Sequence, residues 1–348
     1  MSLKIKTNCL IVSTIILMLL FFQPAMAQRN TKDYSTPAFK PLNDIITQQQ
    51  KAIGNDAIVM VWTDTLVFRK QLGDFSSRTQ AAIGDASSWL TAAAVMAFVD
   101  DGKISLDDKV SKYIPAFELY RKNYITIRQC LSHQTGIQYE DTKLKKLFAK
   151  KKFASLEEMV NDYASKEIQT NPGTEMRYNP IGIGIAGRVL EVVTKKKFDQ
   201  IIQQRLLRPL GMRNTTFSTI DASAVNPADG ARSTADDYMK FLVMLLNKGQ
   251  HNGQQILSEA SVNELLQTQQ PVDKIKYAPQ GAQHFSYALG SWVIETNNGK
   301  ATAFSSMSFG GTMPILDISK KYALLFFVKD LKDEPKVNTY LKIKSSLD

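Results

Sequence analysis

The sequence predicts an α+β fold in which one antiparallel β-sheet is flanked by helices. Strand-like segments lie near the start of the chain and again near its end, while a long middle region carries helical periodicity. The late strands follow one another through short connections, which favour antiparallel pairing. We therefore expect one sheet built from both ends of the chain, with a helical insertion between them.

The first residues have the pattern of a secretory signal peptide. Lys4 and Lys6 precede an almost wholly apolar run over residues 10–22, and a small-x-small sequence ends at Ala27. The run is short for a membrane-spanning helix, which needs about 20 residues. We expect cleavage after Ala27 and export of residues 28–348 to the periplasm or the medium, with no membrane span left in the mature chain.

Without its first 27 residues the chain has a net charge of (43 − 2) − 33 = +8, because that segment holds two lysines and no acid. Much of the excess is a basic stretch over residues 143–152, made of Lys143, Lys145, Lys146, Lys150, Lys151 and Lys152. The stretch lacks the interleaved aromatic residues that stacking on nucleic acid requires. We interpret it as a solvated helix face and expect no nucleic-acid partner.

Cysteine and histidine usage argues against disulfides and metal. Cys130 is the one cysteine after Cys9 leaves with the signal, and its apolar surroundings indicate a buried structural thiol. His133, His251 and His284 have no further His, Cys or carboxylate at metal-ligand spacing. We expect no metal, and the sequence predicts no other cofactor.

The early elements are a hairpin and a helix. Residues 57–75 read as two β-rich runs with a turn at Thr63 and Asp64. The helix that follows has Asp85 as its predicted N-cap and Gly102 as its stop.

The later elements complete the pattern. Apolar residues at three- and four-residue spacing predict helices over 181–208 and 234–248. We predict strands over 287–294, 313–316 and 323–328. A last helix is predicted over 334–346, with Pro335 near its first turn.

Five segments, in the right order over roughly residues 45–330, resemble the serine β-lactamase-related family, which includes class C β-lactamases, DD-peptidases and esterases. They are AAAV, DGKISLDD and YIP in 92–115, ITIR and LSHQTGI in 125–137, PGT followed by Tyr178, RPLGM and TTF in 208–217, and STADD and GQQILS in 233–258. The resemblance implies a β-lactamase/transpeptidase-like α/β sandwich. Its sheet lobe would cover about 45–90 and 280–348, beside an all-helical lobe over about 91–270, with the active site between them.

The family acylates the serine of a Ser-x-x-Lys motif, whose lysine takes the hydroxyl proton. At the matching position this chain reads Asp85-Ala86-Ser87-Ser88, so both catalytic side chains are replaced. Asp85 is then either a structural helix cap or a pocket anion that repels carboxylate ligands and favours cationic or hydroxyl-rich ones. Ser87 is a candidate pocket residue.

The second family motif, Tyr-x-Asn, reads Tyr178-Asn179-Pro180, which keeps the tyrosine and loses the amide donor. Tyr178 is either a remnant of the pocket or a packed aromatic residue. Asn179 is a candidate pocket residue. Because it stands one position before the place of the motif's asparagine, we expect its side chain to point in another direction. His133 matches a family position that is not catalytic, and we interpret it as structural.

The third family motif is a histidine or lysine, any residue, then glycine. Counting back from Gly311 and Thr312 places it at Ser306-Met307-Ser308, where the cation and the glycine are absent. Ser306 and Ser308 are the last candidate pocket residues.

Three hypotheses follow. The first is a catalytically impaired binding or cell-envelope module whose ligand is a cell-wall peptide or glycan, or a small molecule. The second is an active hydrolase of esterase, β-lactamase or peptidase type, with Ser88 as nucleophile and Asp85 or Tyr178 as base, because Ser88 follows Asp85 by three residues on one helix face. The third is a structural or adhesion role for the basic stretch.

Overall fold

A computed structural model describes residues 33–139, 152–219, 223–309, 311–330 and 336–347. The predicted signal peptide, most of the basic stretch and Pro335 lie outside the described residues. Within the described part, no helix has both the length and the apolar character that crossing a bilayer requires.

The described residues contain one large antiparallel sheet, as the sequence predicts. Its eight strands run in the order β1-β3-β2-β14-β13-β12-β11-β10. Their bounds are β1 Tyr34–Ser35, β2 Ala57–Trp62, β3 Leu66–Leu72, β10 Ser286–Tyr287, β11 Trp292–Asn297, β12 Lys300–Ser305, β13 Met313–Asp317 and β14 Tyr322–Val328.

The two ends of the chain meet in the middle of this sheet. Strand β14 pairs with β2, with Phe326 opposite Val59 and Leu324 opposite Val61. Every residue of β14 is buried, because helices cover both faces of the sheet. The prediction of a sheet closed by both ends is therefore confirmed.

Three short strand pairs tie loops together around the helical region. Strand β4 (Ala81–Ala82) pairs with β6 (Arg232–Ser233), β5 (Met176–Arg177) with β9 (Ile275–Tyr277), and β7 (Gln250–His251) with β8 (Gln254–Gln255). The first two pairs bring loops distant in sequence beside the start of the helix that follows β4, where the site described below lies.

The described α-helices account for most of the region between the strands. Their bounds are α1 Lys40–Gln48, α2 Gln50–Ile53, α3 Ser87–Asp100, α4 Ala116–Leu119, α5 Ile127–Leu131, α6 Leu156–Ser165, α7 Ile181–Thr194, α8 Phe198–Ile202, α9 Ala235–Leu246, α10 Glu259–Leu265 and α11 Val337–Lys344. Single 3-10 turns cover Pro37–Phe39, Gly84–Ala86, Val110–Lys112, Val272–Lys274 and Ser345–Leu347, and a π-turn covers Gln203–Leu207.

Helix α3 is the centre of the larger core cluster. Twelve of its fourteen residues are buried, and its Trp89 ring meets the ring of Phe241 on α9 edge to face. Helix α7 crosses α5 so closely that a Cβ on Gly182 would lie 2.1 Å from the Cys130 carbonyl oxygen. Glycine is therefore required at that crossing. Cys130 is buried, as predicted, and burial raises the pKa of its thiol far above the usual range.

The outer face of the sheet is covered by α1 and α11. The Phe326 and Tyr340 rings stack at 4.1 Å between centroids. Lys344 is 1% exposed, and its Nζ lies 2.6 Å from Glu295 Oε1 and 3.2 Å from Asp317 Oδ2. This charged contact fixes the end of α11 to the sheet.

Two predicted boundaries are wrong in detail. The helix predicted from Asp85 begins at Ser87, after the 3-10 turn, so Ala86 and not Asp85 occupies the N-cap. The segment 287–294 is two strands, because Gly290 adopts a φ of +76° and turns the chain between them. The hairpin over 57–75 is confirmed, as is Gly102, whose φ of +67° ends α3.

Candidate functional site

The start of α3 is fastened to the segment that precedes β6. Ser87 Oγ donates to the carbonyl oxygen of Gly84 at 2.6 Å and accepts a hydrogen bond from the Ala231 amide at 3.0 Å. Ser87 is fully buried, and it does not line the cavity described below. Its hydroxyl thus holds structure together rather than facing a ligand.

Two further hydroxyls of α3 hold the same segment. Ser88 Oγ donates to the carbonyl oxygen of Ala228 at 2.9 Å, and Thr91 Oγ1 donates to that of Pro227 at 2.6 Å. Ser88 is 2% exposed. These bonds fix the turn that carries Asp229 over the N-terminal end of α3. In the described structure Ser88 makes no hydrogen bond to Asp85 or to Tyr178.

Tyr178 directly follows β5. Its backbone amide donates to the Tyr277 carbonyl at 3.0 Å, which extends the β5–β9 pairing. Its ring packs against the rings of His133 and Trp292, with centroids 4.4 Å and 5.3 Å away. Among the described residues none forms a hydrogen bond with its hydroxyl. Tyr178 is therefore both a packed aromatic residue and a wall of the cavity.

Burial, together with the charge of the site, keeps that hydroxyl protonated. Burial is the largest cause, followed by the negative charge of Asp85, and both raise the pKa of Tyr178 well above its usual value; Tyr287 and Asp229 add to the shift. At neutral pH Tyr178 is thus a neutral phenol, which can donate or accept a hydrogen bond.

His133 is buried behind Tyr178 and uses both ring nitrogens. Nδ1 donates to the Asn179 carbonyl oxygen at 2.7 Å, which leaves Nε2 to accept a 2.9 Å hydrogen bond from the hydroxyl of Tyr287. Burial lowers the pKa of His133 to about 4. The ring is therefore neutral at pH 7, in keeping with the structural role expected from the sequence.

Asn179 uses its side chain to begin α7. Its Nδ2 donates to the Arg177 carbonyl at 2.7 Å, and its Oδ1 accepts from the Ile181 amide at 3.0 Å. Asn179 lines the cavity, but its amide group is engaged by backbone on both sides.

The segment after β12 lies beside Asp85. Ser306 Oγ donates to the Asp85 carbonyl oxygen at 3.2 Å, and the Ser308 amide donates to the Thr312 carbonyl at 2.9 Å. Both serines are buried, and neither lines the cavity. The aromatic ring of Phe309, which the sequence analysis missed, lines it instead.

The cavity at this point has a volume of about 250 Å³. It brings together Asp85, Ser88, Tyr178 and Asn179 of the predicted residues, and leaves out Ser87, Ser306 and Ser308. Its full lining is Asp85, Ser88, His133, Tyr139, Tyr178, Asn179, Pro180, Ala228, Asp229, Tyr277, Pro279 and Phe309.

Asp229 is the most important residue that sequence reasoning missed. It stands in the sequence Asn226-Pro227-Ala228-Asp229-Gly230, a turn-forming composition that gives no sign of a site. Hydrogen bonds from α3 to Pro227 and Ala228 hold this turn beside the cavity that Asp229 lines.

Larger cavities lie elsewhere among the described residues. One of about 800 Å³ lies between the β2–β3 edge and α9, and one of about 640 Å³ lies near the start of α6. Neither is lined by a residue from the three motif positions. The smaller cavity at the start of α3 is therefore the candidate site.

Comparison with known proteins shows the family of the chain. The family profile described as beta-lactamase matches residues 42–345. The chain belongs to the beta-lactamase family. The three motif positions expected from the sequence, which are Asp85 with Ser88, Tyr178 with Pro180, and the segment from Ser306 to Ser308, all lie within the matched span.

Two curated proteins are similar to part of the chain. It is 27% identical over 158 residues to Protein flp of Staphylococcus aureus (strain MW2), covering 44% of this chain and 31% of that protein. It is 27% identical over 271 residues to Beta-lactamase-like protein 2 of Dictyostelium discoideum, covering 66% of this chain and 48% of that protein. The matched segments thus span less than half the length of these curated relatives.

A solved structure extends the similarity over nearly the whole described chain. The crystal structure of a candidate beta-lactamase from Bacteroides dorei DSM 17855 superposes with a TM-score of 0.78 at 26% identity. The superposition covers 88% of this chain and 98% of the Bacteroides dorei chain. The fold is therefore shared over most of the chain.

Proposed function

We propose that this protein is a catalytically impaired member of the beta-lactamase family, exported to the cell envelope, where it acts as a binding module. The observation that carries the proposal is the bond from Ser88 Oγ to the Ala228 carbonyl, next to an Asp85 that replaces the family's nucleophile. A serine nucleophile needs a base that takes its proton, and a peptide carbonyl is not such a base.

The surrounding groups support the absence of acyl transfer. None of the described residues that line the cavity is a lysine or an arginine. His133 has both nitrogens engaged, and Tyr178 is a neutral phenol, so neither is placed to activate Ser88. Loss of a single member of a catalytic unit can reduce turnover by as much as about 10⁶-fold, and here two are replaced.

The ligand class follows from the family resemblance and from the expected export. A cell-wall peptide or glycan is the natural candidate, and a small molecule is the alternative. Titration of purified muropeptides into the protein, followed by calorimetry, tests this assignment. Heat of binding supports it, and no interaction at millimolar muropeptide removes it.

The absence of catalysis is tested by a fluorophosphonate probe together with nitrocefin and short-chain esters. We expect no labelling and no hydrolysis above the uncatalysed rate, with an active class C β-lactamase as positive control for nitrocefin. Labelling of the wild-type protein that Ser88→Ala abolishes and Ser87→Ala preserves would overturn the proposal. The protein would then be an active hydrolase that uses Ser88.

A further inference from the structure

A second groove lies among α4, α6 and α7, away from the candidate site. Its volume is about 470 Å³, within the range of about 300–1,000 Å³ that small-molecule sites occupy. Helix α6 contributes Glu157 and Asn161, which are four residues apart and so lie on one helix face. Helix α7 contributes Arg188 and Val192 at the same spacing, and the rest of the lining comes from residues 113–120.

One wall of this groove exposes large apolar side chains to solvent. Leu119, the last residue of α4, is 76% exposed, and the adjacent Tyr120 is 45% exposed. Phe117, two residues earlier, is fully buried and anchors the short helix. Leu119 and Tyr120 are therefore accessible to a ligand without rearrangement of the fold.

Each tyrosine ring of the groove has a lysine over one of its faces. Lys122 Nζ lies 5.5 Å from the ring centroid of Tyr120, and Lys112 Nζ lies 5.1 Å from that of Tyr113. Lys122 is 5% exposed and donates to the Ala164 carbonyl oxygen at 2.7 Å, which fixes its position. Neither lysine lines the groove, so the ring surfaces that line it are those that the lysines leave uncovered. Rings held in this way cost a ligand little ordering entropy.

The polar groups of the groove balance in charge. Arg188 Nη2 lies 2.9 Å from Glu157 Oε1, and these are the two charged residues of the described lining. Arg188 Nη1 also lies 3.0 Å from Glu191 Oε2, outside the lining. The exposed side chain of Asn161 forms no hydrogen bond with any other described residue, so its amide group can both donate and accept.

We propose that this groove binds a short neutral glycan, a chain of uncharged pyranose rings. The C–H face of a pyranose ring is apolar and stacks on an aromatic ring, while its hydroxyls donate to and accept from polar side chains. The groove offers both in one place, with Tyr120 on one wall and Asn161 on another. The inference goes beyond the proposed function, because no residue of the groove lines the cavity at the start of α3.

Other ligand classes fit these residues less well. A wholly apolar ligand would bury the Asn161 amide without a partner, which costs free energy. A charged ligand would compete with the ion pair between Arg188 and Glu157. A proline-rich segment also packs on aromatic rings, but proline has no N–H to donate to the Asn161 carbonyl oxygen.

Three probes distinguish these classes. Triacetylchitotriose, a hexaproline peptide with blocked ends, and trigalacturonate are added separately to residues 28–348, and binding is followed by saturation-transfer NMR at pH 7. We expect the signal from triacetylchitotriose to exceed each of the others by about ten-fold or more. An equal or stronger signal from hexaproline or trigalacturonate, or no signal from triacetylchitotriose, would overturn the inference.

Matched variants locate the binding. Tyr120→Ala removes the stacking ring, whereas Tyr124→Ala removes a ring that is 42% exposed and does not line the groove. We expect the dissociation constant of triacetylchitotriose to rise about ten-fold in the first variant and to stay unchanged in the second. Tyr120→Phe keeps the ring and should bind as the wild type does, while Asn161→Ala should weaken binding several-fold.

Thermal melting of each variant separates loss of a ligand contact from loss of the fold. If Tyr120→Ala melts near the wild-type temperature and binds triacetylchitotriose as the wild type does, the inference is wrong. Its failure leaves the proposed absence of acyl transfer standing, because that is measured by labelling at the cavity beside α3. Conversely, labelling that depends on Ser88 would overturn the proposed function whatever the glycan result.

Discussion

The hydroxyl of Ser88 donates a 2.9 Å hydrogen bond to the carbonyl oxygen of Ala228, 140 residues further along the chain. The family resemblance aligns Ser88 with the lysine that activates the nucleophile, so we infer that a catalytic position has become an attachment point for a loop. The bond also fixes the turn that contains Asp229.

Replacement of Ser88 by alanine should affect stability rather than chemistry. Ser88→Ala leaves the buried Ala228 carbonyl without its donor, which we expect to lower the free energy of unfolding by about 1–2 kcal/mol. Urea denaturation measures the change. Ser165→Ala is the control, because its hydroxyl also donates to a backbone carbonyl but at an exposed site, and its cost should be below about 0.5 kcal/mol. Equal costs in the two variants would contradict the structural role.

His133 predicts a pH dependence of stability. Its pKa is about 4 in the folded protein, whereas an unfolded histidine titrates near 6.5. Between these values the unfolded chain binds more protons, so stability falls as the pH drops from 6.5 to 4 and is fully present above 6.5. The loss is about 3 kcal/mol, since one pKa unit corresponds to about 1.4 kcal/mol.

The measurement compares unfolding free energies at pH 4 and pH 7 in the wild type and in His133→Asn. Asparagine tolerates the φ of +56° found at His133, so the backbone can be kept. The variant should lose about 3 kcal/mol of this pH dependence. His284→Asn, at an exposed position, should retain it, and an unchanged pH dependence in His133→Asn would refute the assignment.

Lys344 should be essential for the docking of α11. Lys344→Met leaves the fully buried Asp317 without its cationic partner, and removal of one member of a buried pair costs about 3–5 kcal/mol. Lys342→Met changes an exposed lysine of the same helix and should cost less than about 0.5 kcal/mol. Thermal denaturation of both variants tests the contrast, and similar melting temperatures would show that the pair is dispensable.

Gly182 should resist any side chain. In Gly182→Ala the new Cβ meets the backbone of Cys130, which cannot move without separating α5 from α7. We expect a loss of about 2 kcal/mol or more, despite the higher helix propensity of alanine. In Gly184→Ala the nearest atoms belong to the side chains of Tyr163 and Met159 at 3.2 Å and 3.6 Å, which can shift. Chemical denaturation should therefore rank Gly184→Ala well above Gly182→Ala in stability.

Local sequence patterns predicted the framework of the sheet well. The alternation and turn residues of 57–75 gave the β2–β3 hairpin, and the apolar run of 323–328 gave β14, because both are properties of contiguous residues. The predicted N-cap at Asp85 failed because Gly84 adopts a φ of +53° and a 3-10 turn precedes α3.

The site was predictable only in part. Asp85, Ser88 and Tyr178 were found because they occupy family positions, and all three line the cavity. Asp229 and Phe309 were missed because nothing in their local sequence points to a site. Asp229 reaches the cavity through hydrogen bonds from α3, and no periodicity or propensity reports such a tertiary contact.

The pairing of Val59 with Phe326 has a consequence for how the chain acquires its structure. These residues are 326 − 59 = 267 positions apart, yet they form the middle of the sheet. Such a non-local contact is slow to form, whereas the helices between them can assemble from nearby contacts. Until β14 pairs with it, strand β2 of the early hairpin keeps one unpaired edge. A chain that ends before β14 is therefore prone to aggregate.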